Sequence, residues 1–250
     1  MSRIVEEHRQ TMQLDASPRD FTDALLQHLA TDDTLSEEHI MFELEDFLGG
    51  HSGVGNLAML TLGFAAKNPE VCARIRAEAK EATNGERPVS LRDKDLMPYT
   101  EATILETLRI CSSPIVPHVA TTDTSIGGYN ITKDTVVFLN NLELNTSAAY
   151  WEEPQLFRPE RFLQEGREGV MRVVKPAHFI PFSTGKRTCI GQRLVQGGCF
   201  AILASVIQNF EVEESLTRPL VPPTACVALP PAPLAFTLRL RAIKPVPPPA

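Results

Sequence analysis

The sequence lacks the cysteine pattern of a disulfide-bonded or zinc-binding protein. Its five cysteines include no CxxC pair, and their odd number does not form a framework of bridges. This usage is typical of a reducing compartment and argues against disulfide scaffolds and zinc ribbons. Any cysteine with a chemical role must therefore be recognised from its own surroundings.

The sequence also lacks a long apolar run and an excess of positive charge. It has no signal peptide and no run of 18 or more apolar residues, so we expect no membrane-spanning segment in it. The net charge of −7 argues against a nucleic-acid backbone as partner. No internal repeat is visible. With 43% apolar residues in a chain of 250, a sizeable core can form.

The most informative stretch is the segment 181–191, which we call the cysteine loop. It leads into a helical run predicted over 192–210, so Cys189 is expected to be the last loop residue before the helix. The unpaired N–H groups and positive dipole end of a helix favour a thiolate there. Lys186 and Arg187 add positive charge. A thiolate held in this way is a good ligand for a soft or borderline metal.

The alternative for Cys189 is an ordinary buried cysteine, but the spacing around it is much more specific than one residue. Two glycines allow the backbone to approach something flat. The pattern F-x-x-G-x-R-x-C-x-G resembles the haem-binding loop of cytochrome P450s. It is matched at Phe182, Gly185, Arg187, Cys189 and Gly191.

A long helical pattern interrupted by glycines precedes this loop. Apolar residues keep helical phase for about thirty residues behind a capping-box pattern at 34–37. Gly49, Gly50, Gly53 and Gly55 lie in its middle. Each costs about 1 kcal/mol relative to alanine, so we interpret them as a kink or a close approach by a ligand. The alternative is two helices joined by a glycine loop.

Two charged motifs lie between the long helix and the cysteine loop. Glu106 and Arg109 have i, i+3 spacing on a helix predicted over 99–111, which alone is best explained as an exposed pair. Residues 157–162 read Phe-Arg-Pro-Glu-Arg-Phe within proline-punctuated coil. These segments follow the order of the cytochrome P450 family. The resemblance implies that Arg161 joins Glu106 and Arg109 in a buried structural triad.

Secondary structure elsewhere is predicted from turn and strand signals. Residues 124–126 and 135–139 are expected to pair as a hairpin around two glycines. Residues 164–176 are expected to be a surface loop. The resemblance implies a mainly α fold with small β-sheets, the C-terminal haem-binding half of the cytochrome P450 fold. It would occupy residues 1–242, and a disordered proline-rich tail would follow at 243–250.

The resemblance also implies a cofactor and its ligands. Haem b would be bound with Cys189 as the axial thiolate on iron, and Phe182 would pack beside that sulfur. Arg187 and His118 would hold the haem propionates. Without the family, His118 is equally well explained as an ordinary strand histidine.

The sequence departs from the family in the long helix. The family pattern has an acid followed by a threonine, where this chain has Ser52 and Gly53. We take Gly50, His51, Ser52 and Gly53 as the candidate catalytic segment. The N-terminal half of the family fold is not found in the sequence, so we expect a fragment. That half would supply the membrane anchor and much of the substrate pocket.

A narrower resemblance concerns function. Residues 46–57, 113–121 and 182–192 resemble the arthropod "Halloween" P450s of the Spook type. This implies a monooxygenase that acts on a sterol in ecdysteroid (moulting-hormone) biosynthesis. An NADPH–cytochrome P450 reductase would supply electrons by docking near the basic face of the cysteine loop. The complete protein would be held by an N-terminal anchor on the cytosolic face of the endoplasmic reticulum membrane.

Two alternatives to the monooxygenase remain open. One is a non-catalytic haem- or partner-binding remnant, since the chain is half the usual length and lacks the helix threonine. The other is a thiol enzyme with Cys189 as nucleophile, which would need a histidine base. In that second case the two charged motifs would be coincidental.

Overall fold

The computed structural model describes residues 2–112, 117–221 and 235–243, and helices dominate them. The chain divides into two units, residues 1–51 and residues 52–250, with the boundary inside the longest helix. The helices are α1 (Ser2–Thr11), α2 (Phe21–Thr31), α3 (Glu37–Lys67), α4 (Pro69–Thr83), α5 (Pro98–Cys111), α6 (Asn141–Thr146) and α7 (Gln192–Asn209).

The strands of the described ranges are short, antiparallel and paired only in twos. β1 (Pro117–Val119) pairs with β4 (Val136–Phe138), and β2 (Thr124–Ile126) pairs with β3 (Tyr129–Ile131). β5 (Leu163–Glu165) pairs with β6 (Met171–Val173), and β7 (Phe210–Glu214) pairs with β8 (Leu238–Ala242). The predicted class, mainly α with small β-sheets, is confirmed.

The predicted hairpin is wrong in its second strand. Gly127 and Gly128 have φ of +56° and +87°, the left-handed conformation that closes a two-residue turn. A turn this tight pairs β2 with the residues that follow at once, which are Tyr129–Ile131. The strand expected as its partner instead pairs with β1. The surface loop predicted over 164–176 is also wrong, because it contains most of the β5–β6 hairpin.

α3 is one continuous helix of 31 residues, so the alternative of two helices with a glycine loop is wrong. The capping box expected from Thr34 does not form. Thr34 donates instead to the carboxylate of Asp32 at 2.6 Å. The hydroxyl of Ser36 accepts the N–H of His39 at 3.4 Å and caps the helix.

The core of the second unit is formed by α3, α4, α5 and α7. Leu57, Leu60, Ile75, Leu105 and Phe200 from these four helices are all fully buried. Each such side chain contributes about 1.5–3 kcal/mol when removed from water. This packing fixes α5, which carries the first charged motif, against α7, which follows the cysteine loop.

Two sequence predictions concern residues that the structure describes only in part. Of the tail predicted over 243–250, residues 244–250 lie outside the described residues, as does Cys226. Residues 113–116 of the extended segment before β1 also lie outside them. The domain boundary at 242 therefore stays a prediction.

Candidate functional site

The two charged residues of α5 are completely buried and lie against each other. Glu106 and Arg109 are both 0% exposed. Arg109 donates from Nε and Nη2 to the two carboxylate oxygens of Glu106, each at 2.8 Å. Arg161 Nε and the Arg158 backbone N–H also donate to Glu106 Oε1, at 3.2 and 2.9 Å. The structure therefore brings Glu106, Arg109 and Arg161 into one cluster, and the exposed-pair alternative is wrong.

The other donors of the two guanidinium groups end on main-chain carbonyls. Arg109 donates to the carbonyls of Asn145 at 2.7 Å and Pro154 at 2.8 Å. Arg161 donates to the carbonyl of Glu153 at 2.6 Å. Desolvation lowers the pKa of Arg161 from its ordinary value, and the neighbouring arginine charges act in the same direction. Sequence reasoning misses these acceptors because every residue has a carbonyl.

Aromatic packing connects this cluster to the start of the cysteine loop. The Arg109 guanidinium lies 5.2 Å from the ring centre of Trp151. The Trp151 ring lies 5.5 Å from that of Phe162, which lies 4.8 Å from that of Phe179. Such pairs contribute about 0.5–1.5 kcal/mol each beyond their buried area. Phe179 is two residues before the loop, so the loop's entry is anchored to the charged cluster.

The cysteine loop is folded around one main-chain carbonyl. Phe182 O accepts the backbone N–H of Cys189 at 2.9 Å and the hydroxyl of Thr188 at 3.1 Å. Gly185 has a φ of +72°, which a residue with a side chain adopts only at a cost. α7 begins at Gln192 with Gly191 as its N-cap. Cys189 is therefore two residues before the cap, and its predicted place as the last loop residue is wrong.

Cys189 differs from the other cysteines of the described ranges in being exposed. Cys72, Cys111 and Cys199 are buried. Burial raises the pKa of Cys72 to about 11, and the pKa values of Cys111 and Cys199 to about 12. These three remain protonated thiols near neutral pH and are poor metal ligands. Among the described cysteines, Cys189 is thus the one available to a metal.

The surroundings of Cys189 fit a flat, anionic, iron-containing group. A Cβ at Gly191 would lie 3.8 Å from the Cys189 sulfur, so Gly191 is directly beside that sulfur. Ile190, the next residue, and Leu194, in the first turn of α7, are 71% and 57% exposed and offer apolar surface. Arg187 is also exposed. A thiolate with apolar and cationic neighbours is the donor set that suits haem with its propionates.

The glycine segment of α3 leaves open space. Apart from the adjacent residues and the nearby backbone of the helix itself, no described atom lies within 4 Å of the positions that a Cβ would take at Gly49, Gly50 or Gly55. His51 is exposed, and its Nδ1 makes a short contact with the carbonyl of Leu48. Nε2, on the other side of the ring, is therefore the nitrogen of His51 that is available to a ligand.

The rest of that segment belongs to the second unit. Ser52 and Gly53 are half-buried. A Cβ at Gly198 would lie 3.3 Å from Val54 Cγ1, so α3 and α7 pack closely just after the candidate catalytic segment. Farther along, Thr61 Oγ1 lies 3.8 Å from the sulfur of Cys199. Within the second unit, these contacts hold the part of α3 that follows Gly53 against the helix that follows the cysteine loop.

His118 lies apart in sequence from the loop and belongs to the β1–β4 pair. It is half-buried and stands opposite Val137 in the register. Exposed apolar side chains flank it on both strands, with Val119 57% and Phe138 61% exposed. His118 is therefore a strand histidine next to apolar surface, and its predicted contact with a propionate stays a prediction.

The comparisons with known proteins point to one family. A family model described as Cytochrome P450 matches residues 1–238. The chain is 46% identical over 231 residues to "Cytochrome P450 307a1" of Drosophila melanogaster, covering 85% of this chain and 42% of the relative. It is 30% identical over 252 residues to "Cytochrome P450 2U1" of Homo sapiens, covering 96% and 45%. It is 35% identical over 225 residues to "Farnesoate epoxidase" of Bombyx mori, covering 88% and 44%.

The chain spans less than half the length of these three relatives. In the described ranges, no helix has both the length and the apolar character that a membrane span requires. The matched region contains the glycine segment, both charged motifs and the cysteine loop.

Proposed function

Because the chain belongs to the cytochrome P450 family, we propose that it forms the iron-binding part of a haem-thiolate monooxygenase. Family membership implies haem-thiolate iron. The observation that carries the proposal is the contrast between Cys189, which is exposed, and the three buried cysteines whose pKa values are raised. When bound, haem would supply the activation of dioxygen and its insertion into substrate.

The residues of the cysteine loop would bind and tune this group. Cys189 would ligate iron as the thiolate, with its backbone N–H held by Phe182 O. The Phe182 ring would limit the access of water to the sulfur. Arg187 and His118 would pair with the propionates. Glu106, Arg109 and Arg161 would act structurally, because Glu106 and main-chain carbonyls already accept the hydrogen bonds of both guanidinium groups.

Proton delivery is the step in which this chain departs from its family. A positioned acid or water chain typically contributes ~10²–10⁴-fold to such a step. His51 and Ser52 could organise a water chain, since an imidazole and a hydroxyl both relay protons. Alternatively, Gly50 and Gly53 clear room for a bulky substrate whose own hydroxyl supplies the proton. The number of glycines favours the second explanation, because a relay alone does not require them.

A sterol of ecdysteroid biosynthesis is the substrate class that we propose. The support is the resemblance of three motif segments to the Spook type and the 46% identity to Cytochrome P450 307a1. The 35% identical relative is named for farnesoate, an isoprenoid acid, which makes that class the comparison substrate. The electron donor would be an NADPH–cytochrome P450 reductase at the face of Lys186, Arg187 and Arg193. The complete protein would work at the endoplasmic reticulum membrane.

The test uses the longest natural form of the protein, meaning the product of the longest transcript that contains these 250 residues. It is reconstituted with NADPH and a P450 reductase, and sterol precursors are compared with farnesoate. We expect a thiolate-type spectrum of the reduced CO complex and NADPH-dependent oxidation of a sterol. Haem binding without turnover on either substrate class would support the non-catalytic remnant. Absence of haem, with a thiol-dependent activity, would support the cysteine nucleophile.

A further inference from the structure

α4 contains none of the motif residues, yet three of its side chains contact the elements that carry them. Arg74, Arg76 and Glu78 are separated by two positions each along the helix. Their polar contacts are with different elements of the second unit: Arg74 with the Pro159–Phe162 turn, Arg76 with the C-terminal end of α7, and Glu78 with α5. These contacts join elements that are far apart in the sequence.

Glu78 binds the N-terminus of α5. Its carboxylate accepts the backbone N–H groups of Tyr99 at 2.6 Å and Thr100 at 2.9 Å, and the Thr100 hydroxyl at 2.8 Å. The N-cap of α5 is Met97, which makes no side-chain cap. Glu78 therefore caps the α5 helix from a neighbouring helix, and its charge suits the positive end of the dipole.

Arg76 binds the opposite end of a different helix. Its Nε donates to the carbonyl of Ile207 and its Nη2 to the carbonyl of Phe210, both at 3.2 Å. Ile207 belongs to the last turn of α7 and Phe210 is its C-cap residue. A cation there complements the helix dipole and satisfies carbonyls left without helical partners. The same helix begins three residues after Cys189.

Arg74 binds the turn that holds Arg161. Its guanidinium pairs with the carboxylate of Glu160 and lies 3.6 Å from the ring centre of Tyr99. The turn has only four residues, so the direction of each side chain depends on the contacts made by the adjacent residues of the turn. Glu160 points to α4 while Arg161 points to Glu106.

We propose that Arg74, Arg76 and Glu78 are positioning residues that hold α5, α7 and the Pro159–Phe162 turn in the geometry required to retain haem. The inference rests on the proposed function. The three contacts fix one end each of α5 and the Pro159–Phe162 turn, which bear the charged triad, and of α7, which follows the loop that bears Cys189. A shift of any one changes the position of the cysteine loop relative to the triad.

The contacts are better suited to positioning than to overall stability. The Arg74–Glu160 pair is about half exposed, and such pairs contribute little to folding. Burial raises the pKa of Glu78 above its ordinary value despite its three accepted hydrogen bonds. A carboxylate whose hydrogen bonds do not fully offset its desolvation adds little net stability. Its geometric effect on the first turn of α5 remains.

The test measures haem loss from the longest natural form to an excess of an apoprotein that captures haem. The variants are Arg74→Glu, Arg76→Gln and Glu78→Gln. The matched control is Arg87→Gln, which removes side-chain bonds to Asp93 of 2.8 and 2.7 Å and bonds to the carbonyls of Pro88 and Ala82. It leaves the main-chain carbonyl of Arg87, which accepts from Gln208 of α7, in place. We expect each α4 variant to lose haem about 10-fold faster than the control, as is usual for residues that orient metal ligands.

Two further readouts separate positioning from simple destabilisation. The thiolate-type CO signal per haem should fall in the α4 variants. It should not fall in the control, when variants and control with equal melting temperatures are compared. The exchanged pair Arg74→Glu with Glu160→Arg should recover haem retention, including when Arg74→Glu alone folds poorly. Haem loss equal to the control, or no recovery in the exchanged pair, overturns the inference. If the unmutated protein gives no thiolate-type signal, the proposed function fails instead.

Discussion

The charged triad and the cysteine loop have opposite relations to solvent. Glu106 and Arg109 are completely buried, and their charges are met by each other, by Arg161 and by carbonyls. Residues 184–190 of the loop are exposed, including Cys189. The difference indicates a division of roles, in which the buried charges hold the fold and the loop stays accessible for a ligand. The aromatic contacts from Trp151 to Phe179 join the two regions.

The largest contrast between the cysteines should appear in thiol labelling of the native chain at pH 8. A thiol with a pKa of about 12, such as Cys111 or Cys199, is ionised to only ~10⁻⁴ at that pH. We therefore expect Cys189 to react with the reagent at least ~10³-fold faster than Cys111 and Cys199, as measured by mass spectrometry of peptides. All rates are measured in protein that carries Cys226→Ser, because Cys226 lies outside the described residues.

The labelling result also connects accessibility to ligation. Haem added before the reagent should protect Cys189 and leave the slow rates of Cys72, Cys111 and Cys199 unchanged. Equal labelling rates for all the described cysteines would contradict the difference in accessibility that identifies Cys189 as the iron ligand.

Breaking the triad should have the next largest effect. Glu106→Gln leaves Arg109 and Arg161 buried without a counter-charge, which typically costs about 3–5 kcal/mol. We expect a large fall in the free energy of unfolding, measured with urea, and loss of haem from the longest natural form. A change under about 1 kcal/mol would show that the buried charges do not hold the fold.

Filling the glycine segment should affect function more than stability. If Gly53 clears room for a bulky substrate, Gly53→Thr should weaken substrate binding about 10-fold, since overpacking costs about 1–3 kcal/mol. Coupling of electrons to product should not improve. The control is Gly55→Ala, where the added Cβ would meet no described atom within 4 Å other than adjacent residues and the nearby backbone of its own helix. Higher turnover and less peroxide with unchanged affinity would refute the substrate-assisted explanation.

The smallest effect is expected for an exposed charge network on the β7–β8 sheet. Arg241 is 72% exposed and pairs with Glu211 and Glu213 across the β7–β8 sheet, each at 3.1 Å. Arg241→Gln should change the free energy of unfolding by less than about 1 kcal/mol and leave haem content unchanged. An effect as large as that of Glu106→Gln would erase the difference between buried and exposed charges.

The features that sequence predicts well are those with long periodic patterns or fixed spacing. α3 and α7 follow from apolar residues in helical phase over 18 residues or more. The meeting of Glu106, Arg109 and Arg161 follows from family resemblance, since i, i+3 spacing alone favours an exposed pair. Tertiary packing decides burial, and the local spacing of charges does not encode it.

The features that sequence misses depend on short elements and main-chain partners. Strands of three residues carry too little alternation to define a partner, so the pairing of β4 with β1 is not predictable. The same holds for Arg76 and Glu78, whose partners are main-chain groups of distant helices. Asn68 is a further case, since it is the N-cap residue of α4 but makes no side-chain cap and donates its side chain to Phe64 O near the end of α3.

The role of Cys189 as the iron ligand is tested by the CO difference spectrum of the reduced protein in which Cys189 is replaced. In the longest natural form, Cys189→His should abolish the thiolate-type spectrum, because imidazole replaces the only exposed thiol among the described cysteines. Cys199→Ser, which changes a buried cysteine of α7, should keep the spectrum. A thiolate-type spectrum that persists in Cys189→His would contradict the assignment of Cys189 as the iron ligand.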